Sequence, residues 1–178
     1  MTENVRDYRC AGRYFILRVA SVFYVFAGIA IGMFIEWVAH KYLLHNFSKR
    51  IFSYSHFSVH HKNCRKNGNY DPDYEQFPPK TMDSGLNEIV LLTSGIVALL
   101  PIVLISVWMW VGLVLHALVY YYIHRKCHID VEWGKKWFPW HYEHHMGKNQ
   151  NANWGVTNPV FDWLFRTRVR ENGRKSKR

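Results

Sequence analysis

Two long apolar blocks, separated by strongly polar stretches, dominate the pattern of this chain. The first block, residues 14–38, is about 25 residues long, and its only charged residues are Arg18 and Glu36. The second, residues 89–123, runs for about 35 residues without Asp, Glu, Lys or Arg. Because a membrane-spanning helix needs about 20 apolar residues, the pattern predicts one span in the first block and a hairpin in the second that turns near Pro101.

The polar regions complete the predicted fold. Residues 1–13 are expected to form a polar leader, residues 53–62 a helix and residues 67–79 a turn-rich loop. We therefore predict a single all-α integral membrane domain over residues 1–178, with about three membrane helices (one span plus a hairpin), a helical cap and a basic tail at 166–178. A soluble protein with two very apolar core helices is the alternative. The first block is too long for a signal peptide and lacks its cleavage site.

The distribution of charge predicts how the chain sits in the membrane. Nineteen of its 23 Lys and Arg residues fall in residues 39–85 and 124–178. Basic loops stay on the cytoplasmic side, which places the cap and the C-terminus there, at a bacterial inner membrane or the endoplasmic reticulum. The tail is then solvated or faces anionic lipid, so the net charge of +10 does not indicate nucleic acid. Cys10, Cys64 and Cys127 form no paired framework, which favours a reducing compartment.

Ten of the eleven histidines fall into four tight groups beside the ends of the apolar blocks. The groups are His40 and His45; His56, His60 and His61; His124 and His128; and His141, His144 and His145. Residues three or four apart share a helix face, so His56 with His60, His124 with His128, and the three members of the last group are each expected to aim at one point. His40 and His45 are five apart, so either the helix ends or loosens between them or they serve different metals.

Neutral imidazole is the commonest side-chain metal ligand, and ten imidazoles suit two metal ions. Iron, zinc, copper and nickel all accept such ligands. Imidazole ligands usually donate their second N–H to an outer partner, for which the candidates are Glu36, Asp130, Glu143 and Asn153. His116, isolated in the second apolar block, is expected to be a hydrogen-bonded core residue, and Cys127 a helix neighbour of the site.

The order of the histidine groups resembles the membrane-bound fatty acid hydroxylase superfamily, which includes sphingolipid fatty acid hydroxylases, sterol desaturases, sterol methyl oxidases and related carotenoid hydroxylases. The stretch EWVAHKYLLH, from Glu36 to His45, resembles its first histidine box. WGVT, from Trp154 to Thr157, and FDWLFRT, ending at Thr167, resemble the segment after its last box. The resemblance covers residues 36–167. The chain departs in the three-residue gap between His56 and His60, where two is commoner, and in its small size.

The resemblance implies a function. It implies two metals, expected to be iron although a purified protein could contain zinc, that use O2 as co-substrate to hydroxylate an unactivated C–H bond of a fatty acyl or related lipid chain. A separate cytochrome, ferredoxin or reductase would supply electrons. The alternatives are a desaturase or carotenoid- or sterol-type hydroxylase on the same scaffold, and a membrane dizinc hydrolase or non-enzymatic metal-binding protein. Aromatic side chains could line the lipid slot or form an interfacial belt: Phe23, Tyr24, Phe26, Trp108, Trp110, Tyr120, Tyr121 and Tyr122.

Overall fold

The computed structural model describes residues 3–45, 53–79 and 84–170, with side chains from Arg18 onward. Within those ranges all regular structure is helical. The α-helices are α1 (Glu3–Val38), α2 (His61–Lys66), α3 (Ser84–Ala98), α4 (Val107–Ile129), α5 (Val131–Trp137), α6 (Pro139–Met146) and α7 (Val160–Leu164). Two π-helical segments (Ala39–Leu44 and Tyr54–His60) and two 3₁₀ turns (Pro72–Tyr74 and Leu100–Leu104) connect them.

Three stretches of the described chain are long and apolar enough to cross a membrane: Arg18–Leu44, Ser84–Leu104 and Val107–Ile129. The predicted all-α membrane fold with one span and a hairpin is confirmed. The hairpin turns slightly later than predicted, after the 3₁₀ turn that contains Pro101, and the Ser106 hydroxyl caps α4 by accepting the Met109 amide. Helix α1 begins at Glu3, so most of the predicted polar leader is helical.

Glycines bring α1 and α4 into close contact. A Cβ at Gly28 would lie 2.0 Å from the carbonyl oxygen of Met109, and one at Gly112 would lie 2.2 Å from that of Val25. At Gly32 a Cβ would meet the ring of His116 at 2.6 Å. Larger residues would force the two helices apart, and with them the histidines at their ends.

The remaining elements form a cap over the ends of α1 and α4. The Asp130 side chain accepts the Trp133 amide and so begins α5 directly after α4. On the other side, the loop after α2 is fastened to the end of α4, since the Asp71 amide donates to the carbonyl of His128 and the Asn69 side chain to that of Cys127. This packing brings all four histidine groups together.

Candidate metal centre

The first histidine cluster consists of five rings, each offering a nitrogen within 4.8 Å of the others: His40, His45, His56, His61 and His144. Two π-helical segments create it. A π-helix pairs residues five apart along its axis, so His40 and His45 come onto one side, as do His56 and His61. The π-helical segment Tyr54–His60 accommodates the three-residue gap between His56 and His60.

The second histidine cluster contains five rings in two overlapping sets that share His128 and His145. One set is His60, Cys64, His128 and His145, and the other is His124, His128, His141 and His145. In each set the ligand atoms lie within 4.8 Å of one another. His124 and His128, one helical turn apart on α4, aim together as predicted. The two clusters adjoin, with the ring centroids of His61 and His145 4.2 Å apart.

Two sequence expectations about pairing are wrong. His56 lies in the first cluster, but His60 lies in the second. Likewise, His144 lies in the first cluster, whereas its neighbours His141 and His145 lie in the second. Adjacent residues on a helix point about 100° apart. The adjacent pairs His60–His61 and His144–His145 therefore each contribute one ring to each cluster. The spacing in the sequence alone does not show which ring belongs to which cluster.

Backbone carbonyls hold two rings of the first cluster from outside. The Nδ1 of His40 donates to the carbonyl of Trp154 at 2.6 Å, and that of His144 to the carbonyl of Ala152 at 2.7 Å. A carbonyl oxygen can only accept, so the proton of each ring is on Nδ1. The lone pair on Nε2 is thereby directed inward, as in metal-bound histidines.

Two carboxylates and one carbonyl hold three rings of the second cluster. The Nδ1 of His60 lies 2.5 Å from Asp71 Oδ2, and that of His124 lies 2.7 Å from Glu88 Oε1. The Nδ1 of His128 donates to the carbonyl of Asn69 at 2.9 Å. These contacts again leave Nε2 unprotonated and directed into the cluster.

The spacing of the inward nitrogens fits metal coordination. Two imidazoles bound to one metal at about 2.1 Å lie roughly 3.0–3.4 Å apart, depending on the angle between them. The Nε2 atoms of His40 and His56 are 2.9 Å apart, those of His61 and His144 3.2 Å, and those of His128 and His141 3.0 Å. Several buried nitrogens have no hydrogen-bond partner among the described residues: both in His45, both in His145, Nε2 of His124 and Nδ1 of His141.

Burial keeps the cluster histidines that lie outside the spanning stretches neutral. Desolvation lowers the pKa of His45 to about 2, with a smaller contribution from His40. It also lowers, well below 6.5, the pKa of the other cluster histidines outside the spanning stretches: His56, His60, His61, His141, His144 and His145. Neutral imidazole is the form that binds metals, so both clusters are ready for cations at neutral pH.

A buried cysteine lies behind the second cluster. Cys64 Sγ is 3.4 Å from Nδ1 of His128 and 3.7 Å from Nδ1 of His60, on the outer side of both rings. Desolvation raises the pKa of its thiol well above 9. Because Sγ lies beside the Nδ1 atoms of both rings, away from their inward-directed Nε2 atoms, we interpret Cys64 as a packing residue. Cys127, the cysteine considered from the sequence, packs against Gly134 instead.

The four outer candidates named from the sequence lie around the clusters, but none has a described contact with a cluster ring. Glu36 accepts the amides of Val156 and Thr157 and lies 3.0 Å from Nε2 of the buried His116, although that nitrogen forms no hydrogen bond to the described residues. Asn153 and Glu143 both accept from Arg168. Asp130 pairs with Lys126 at 2.8 Å and caps α5.

The outer partners that the structure does reveal were missed because each looked like an ordinary loop or helix residue. Asp71 stands in a turn-rich DPD stretch and Glu88 at the start of an apolar helix. Asp162 belongs to the FDWLFRT stretch that resembles the family, but the sequence indicated no role for it. It is fully buried and accepts the amides of Trp154 and Gly155 at 2.9 and 2.8 Å, besides the Trp37 indole. Asp162 thus holds the loop whose carbonyls orient His40 and His144.

A cavity of about 260 Å³ leads from the clusters into the spanning helices. Its upper wall includes His40, His56 and His60. The remainder, which reaches Leu99, is lined mainly by apolar side chains of the spanning helices, together with polar residues such as Glu36, Asn87, Glu88 and His116. Of the two roles considered for the eight aromatic residues, lining of a lipid slot or packing in an interfacial belt, the structure supports the slot for one of them. Only Tyr120 of those eight lines the cavity, while Phe23, Phe26, Trp108 and Tyr122 are 47–67% exposed on the outer faces of the bundle.

Together, the fold and the site define a helical membrane protein with a buried histidine centre able to hold metal. The model of the fatty acid hydroxylase family matches residues 25–167. The chain belongs to this family, as its histidine order indicated, and the family points to a lipid hydroxylase or desaturase type of oxidoreductase. Neither the comparison with curated proteins nor the comparison with solved structures finds a match.

Proposed function

We propose that the protein is an O2-dependent lipid hydroxylase whose ten clustered histidines hold two iron ions. The observation that carries this proposal is the cavity, because it joins the histidine clusters to the apolar interior of the membrane bundle. A metal centre for small polar molecules would open to water. This one opens along the path that a hydrocarbon chain in the bilayer would take.

Iron is favoured over zinc by the number of ligands and by the chemistry. Zinc sites in proteins are almost always four-coordinate, whereas the first cluster offers five imidazoles and the two overlapping sets of the second cluster together offer five more. A hydrocarbon chain carries no group that an acid, a base or a nucleophile can attack, so its oxidation requires a redox cofactor. Bound iron would supply that chemistry. Overall, a C–H bond, O2, two electrons and two protons give an alcohol and water.

The cavity suits one extended lipid chain. On α3, the lining residues Glu88, Leu91, Leu92, Gly95 and Leu99 recur at helical spacing along one face. The eleven-residue step from Glu88 to Leu99 corresponds to roughly 16 Å of helix, enough for about a dozen methylenes in extended form. The apolar wall excludes water and holds the chain, while Tyr120 and the Glu36–His116 pair are among the polar groups that line it.

The reaction consumes two electrons, which a donor must deliver to the centre. We propose a separate cytochrome, ferredoxin or reductase that docks on the cytoplasmic side, where the charge distribution places the cap. A reporter fused to the C-terminus tests the orientation, and an external signal would contradict it.

Oxygen labelling tests the reaction. Protein in lipid nanodiscs, loaded anaerobically with iron, should contain two irons per chain, and ¹⁸O2 with a reductant should produce an ¹⁸O-labelled hydroxylated lipid. A new double bond without label would identify a desaturase. Turnover that persists without O2 or reductant would overturn the proposal and favour a dizinc hydrolase.

Filling the cavity tests the substrate path. A side chain at Gly95 would meet nothing within 4 Å, and this residue lines the cavity. Gly95→Phe should therefore shorten the longest chain that is oxidised while leaving the iron content at two. The control is Val97→Phe, because Val97 is 63% exposed on the outside of α3. Equal chain-length profiles for the two variants would exclude this cavity as the substrate path.

A further inference from the structure

The short helix α7 exposes a cluster of large apolar side chains although it belongs to the cap. Val160, Trp163, Leu164 and Phe165 are 46–65% exposed, whereas Asp162 between them is fully buried. An exposed apolar patch rimmed by polar residues marks a binding surface or a membrane contact. One face of the helix therefore contacts the loop beside the first histidine cluster, and the opposite face is apolar and exposed.

This outer face is continuous with the lipid-facing side of α1. Phe34, which lies within the spanning stretch Arg18–Leu44, is 40% exposed. Its ring centroid is 5.3 Å from that of Phe161 and 6.2 Å from that of Phe165. Phe165 also packs on Trp37 at 4.6 Å. The patch of α7 thus extends a surface that already faces hydrocarbon.

Basic residues follow the patch in the sequence. Arg166 and Arg170, two and six residues after the end of α7, are both exposed. The Lys41 ammonium lies 4.7 Å from the ring centroid of Trp37 and 4.9 Å from that of Tyr42. An order of apolar, aromatic and then basic side chains matches the layers of a membrane interface, where amphipathic rings lie at the headgroups and cations approach anionic lipids.

We propose that α7 is an interfacial anchor in the leaflet that carries the histidine centre. Val160, Trp163, Leu164 and Phe165 enter the boundary between acyl chains and headgroups, and Arg166 and Arg170 contact the phosphates of anionic lipids. The occupant of this surface is the bilayer itself, because the patch joins the lipid-facing side of a spanning helix.

The anchor sets the depth of the centre. Phe34 precedes His40 by six residues, which corresponds to about 9 Å along the helix axis. The histidine clusters therefore lie about 9 Å beyond the level of Phe34, at the end of the spanning helices, and the cavity extends from them into the bundle. Since Asp162 on the same short helix holds the loop that orients His40, the membrane contact and the first histidine cluster are mechanically joined.

Spin-label accessibility tests the anchor. Nitroxides are placed at single cysteines in a Cys10→Ser background, because Cys64 and Cys127 are buried. W163C and L164C report on the anchor. The controls are F26C, on the outer face of α1, and E132C, whose native side chain is 84% exposed on the cap. In nanodiscs of phosphatidylcholine and phosphatidylglycerol, the ratio of O2 to nickel-chelate accessibility at 163 and 164 should exceed that at 132 several-fold and approach that at 26.

Other outcomes would overturn the proposal. A ratio at 163 and 164 equal to that at 132 would place α7 in water. Low accessibility to both reagents, with spin–spin broadening, would show that a second copy of the chain covers the patch. Reversing charge with Arg166→Glu and Arg170→Glu should raise nickel accessibility at W163C in the anionic nanodiscs, whereas the control Lys66→Glu, exposed on α2, should not. An unchanged value in the double variant would refute the headgroup contact.

Discussion

The two histidine clusters are similar in number and burial but differ in what holds their rings from outside. In the first, His40 and His144 donate to the carbonyls of a single loop near the C-terminus. In the second, His60 and His124 donate to carboxylates. A carboxylate partner makes an imidazole a more basic ligand. The second cluster should therefore bind its metal more tightly, and the first should depend more on the closure of the C-terminal segment.

Removing a ligand should have the largest effect. We expect His61→Ala to empty the first cluster and His145→Ala the second, each lowering the metal content from two to one or none and abolishing turnover. Metal analysis by mass spectrometry after chelator washes measures this, with Lys66→Ala as the control. Full metal content in either variant would remove that histidine from the ligand set.

Changing an outer partner should weaken one cluster selectively. Mutation of a residue that hydrogen-bonds to a metal ligand typically lowers the metal affinity roughly 10–100-fold. Asp71→Asn removes the charge behind His60, and Asp162→Asn replaces an acceptor of two loop amides by an amide that cannot accept from all its donors. We expect weaker metal binding in the second cluster for Asp71→Asn and in the first for Asp162→Asn, measured by competition with a chelator.

Double variants test whether Asp162 acts on the first cluster only. Because residues of one unit are not additive, Asp162→Asn with His61→Ala should lose no more metal than His61→Ala alone, whereas Asp162→Asn with His145→Ala should lose both. Asp130→Asn is the matched control, since Asp130 contacts Lys126 and the start of α5. Equal loss from both clusters in Asp162→Asn would refute the selective role of the loop.

Acidification should destabilise the metal-free protein. The pKa values of cluster histidines such as His61 and His145 lie well below 6.5 in the folded chain because of burial. Below about pH 6.5 the unfolded chain thus binds more protons, and each such histidine costs about 1.4 kcal/mol of stability per pH unit. Tryptophan fluorescence from pH 8 to 5 should show loss of structure that bound metal shifts to lower pH. A pH-independent metal-free protein would contradict this expectation.

The smallest expected effect concerns the segment that closes the first cluster. Arg166 has φ +57° between Asp162 and Thr167, a conformation that glycine adopts without strain. Arg166→Gly should leave stability unchanged or raise it by up to about 1 kcal/mol, whereas Arg166→Val should lower it. Thermal unfolding of the two variants gives the comparison, and a more stable valine variant would contradict the assigned strain.

The sequence by itself determined the class of molecule. The lengths of residues 14–38 and 89–123 specify membrane helices because the bilayer requires a minimum apolar length. Ten histidines at the ends of those segments indicate metal, since so many buried imidazoles are otherwise unfavourable to group together. Close helix contact at Gly28 could also be anticipated from its small size.

Only the tertiary structure decided which rings share a centre and what orients them. His60 and His61 are neighbours in the chain, but a π turn and the helical rotation send them to different clusters. Asp71 contacts His60 from a loop, and Asp162, on α7, holds the loop that contacts His40 and His144. Neither aspartate is marked in the sequence as a partner of a distant histidine. Periodicity describes one helix at a time, whereas hydrogen bonds between a loop and a distant ring arise only when the packed helices bring them within about 3 Å.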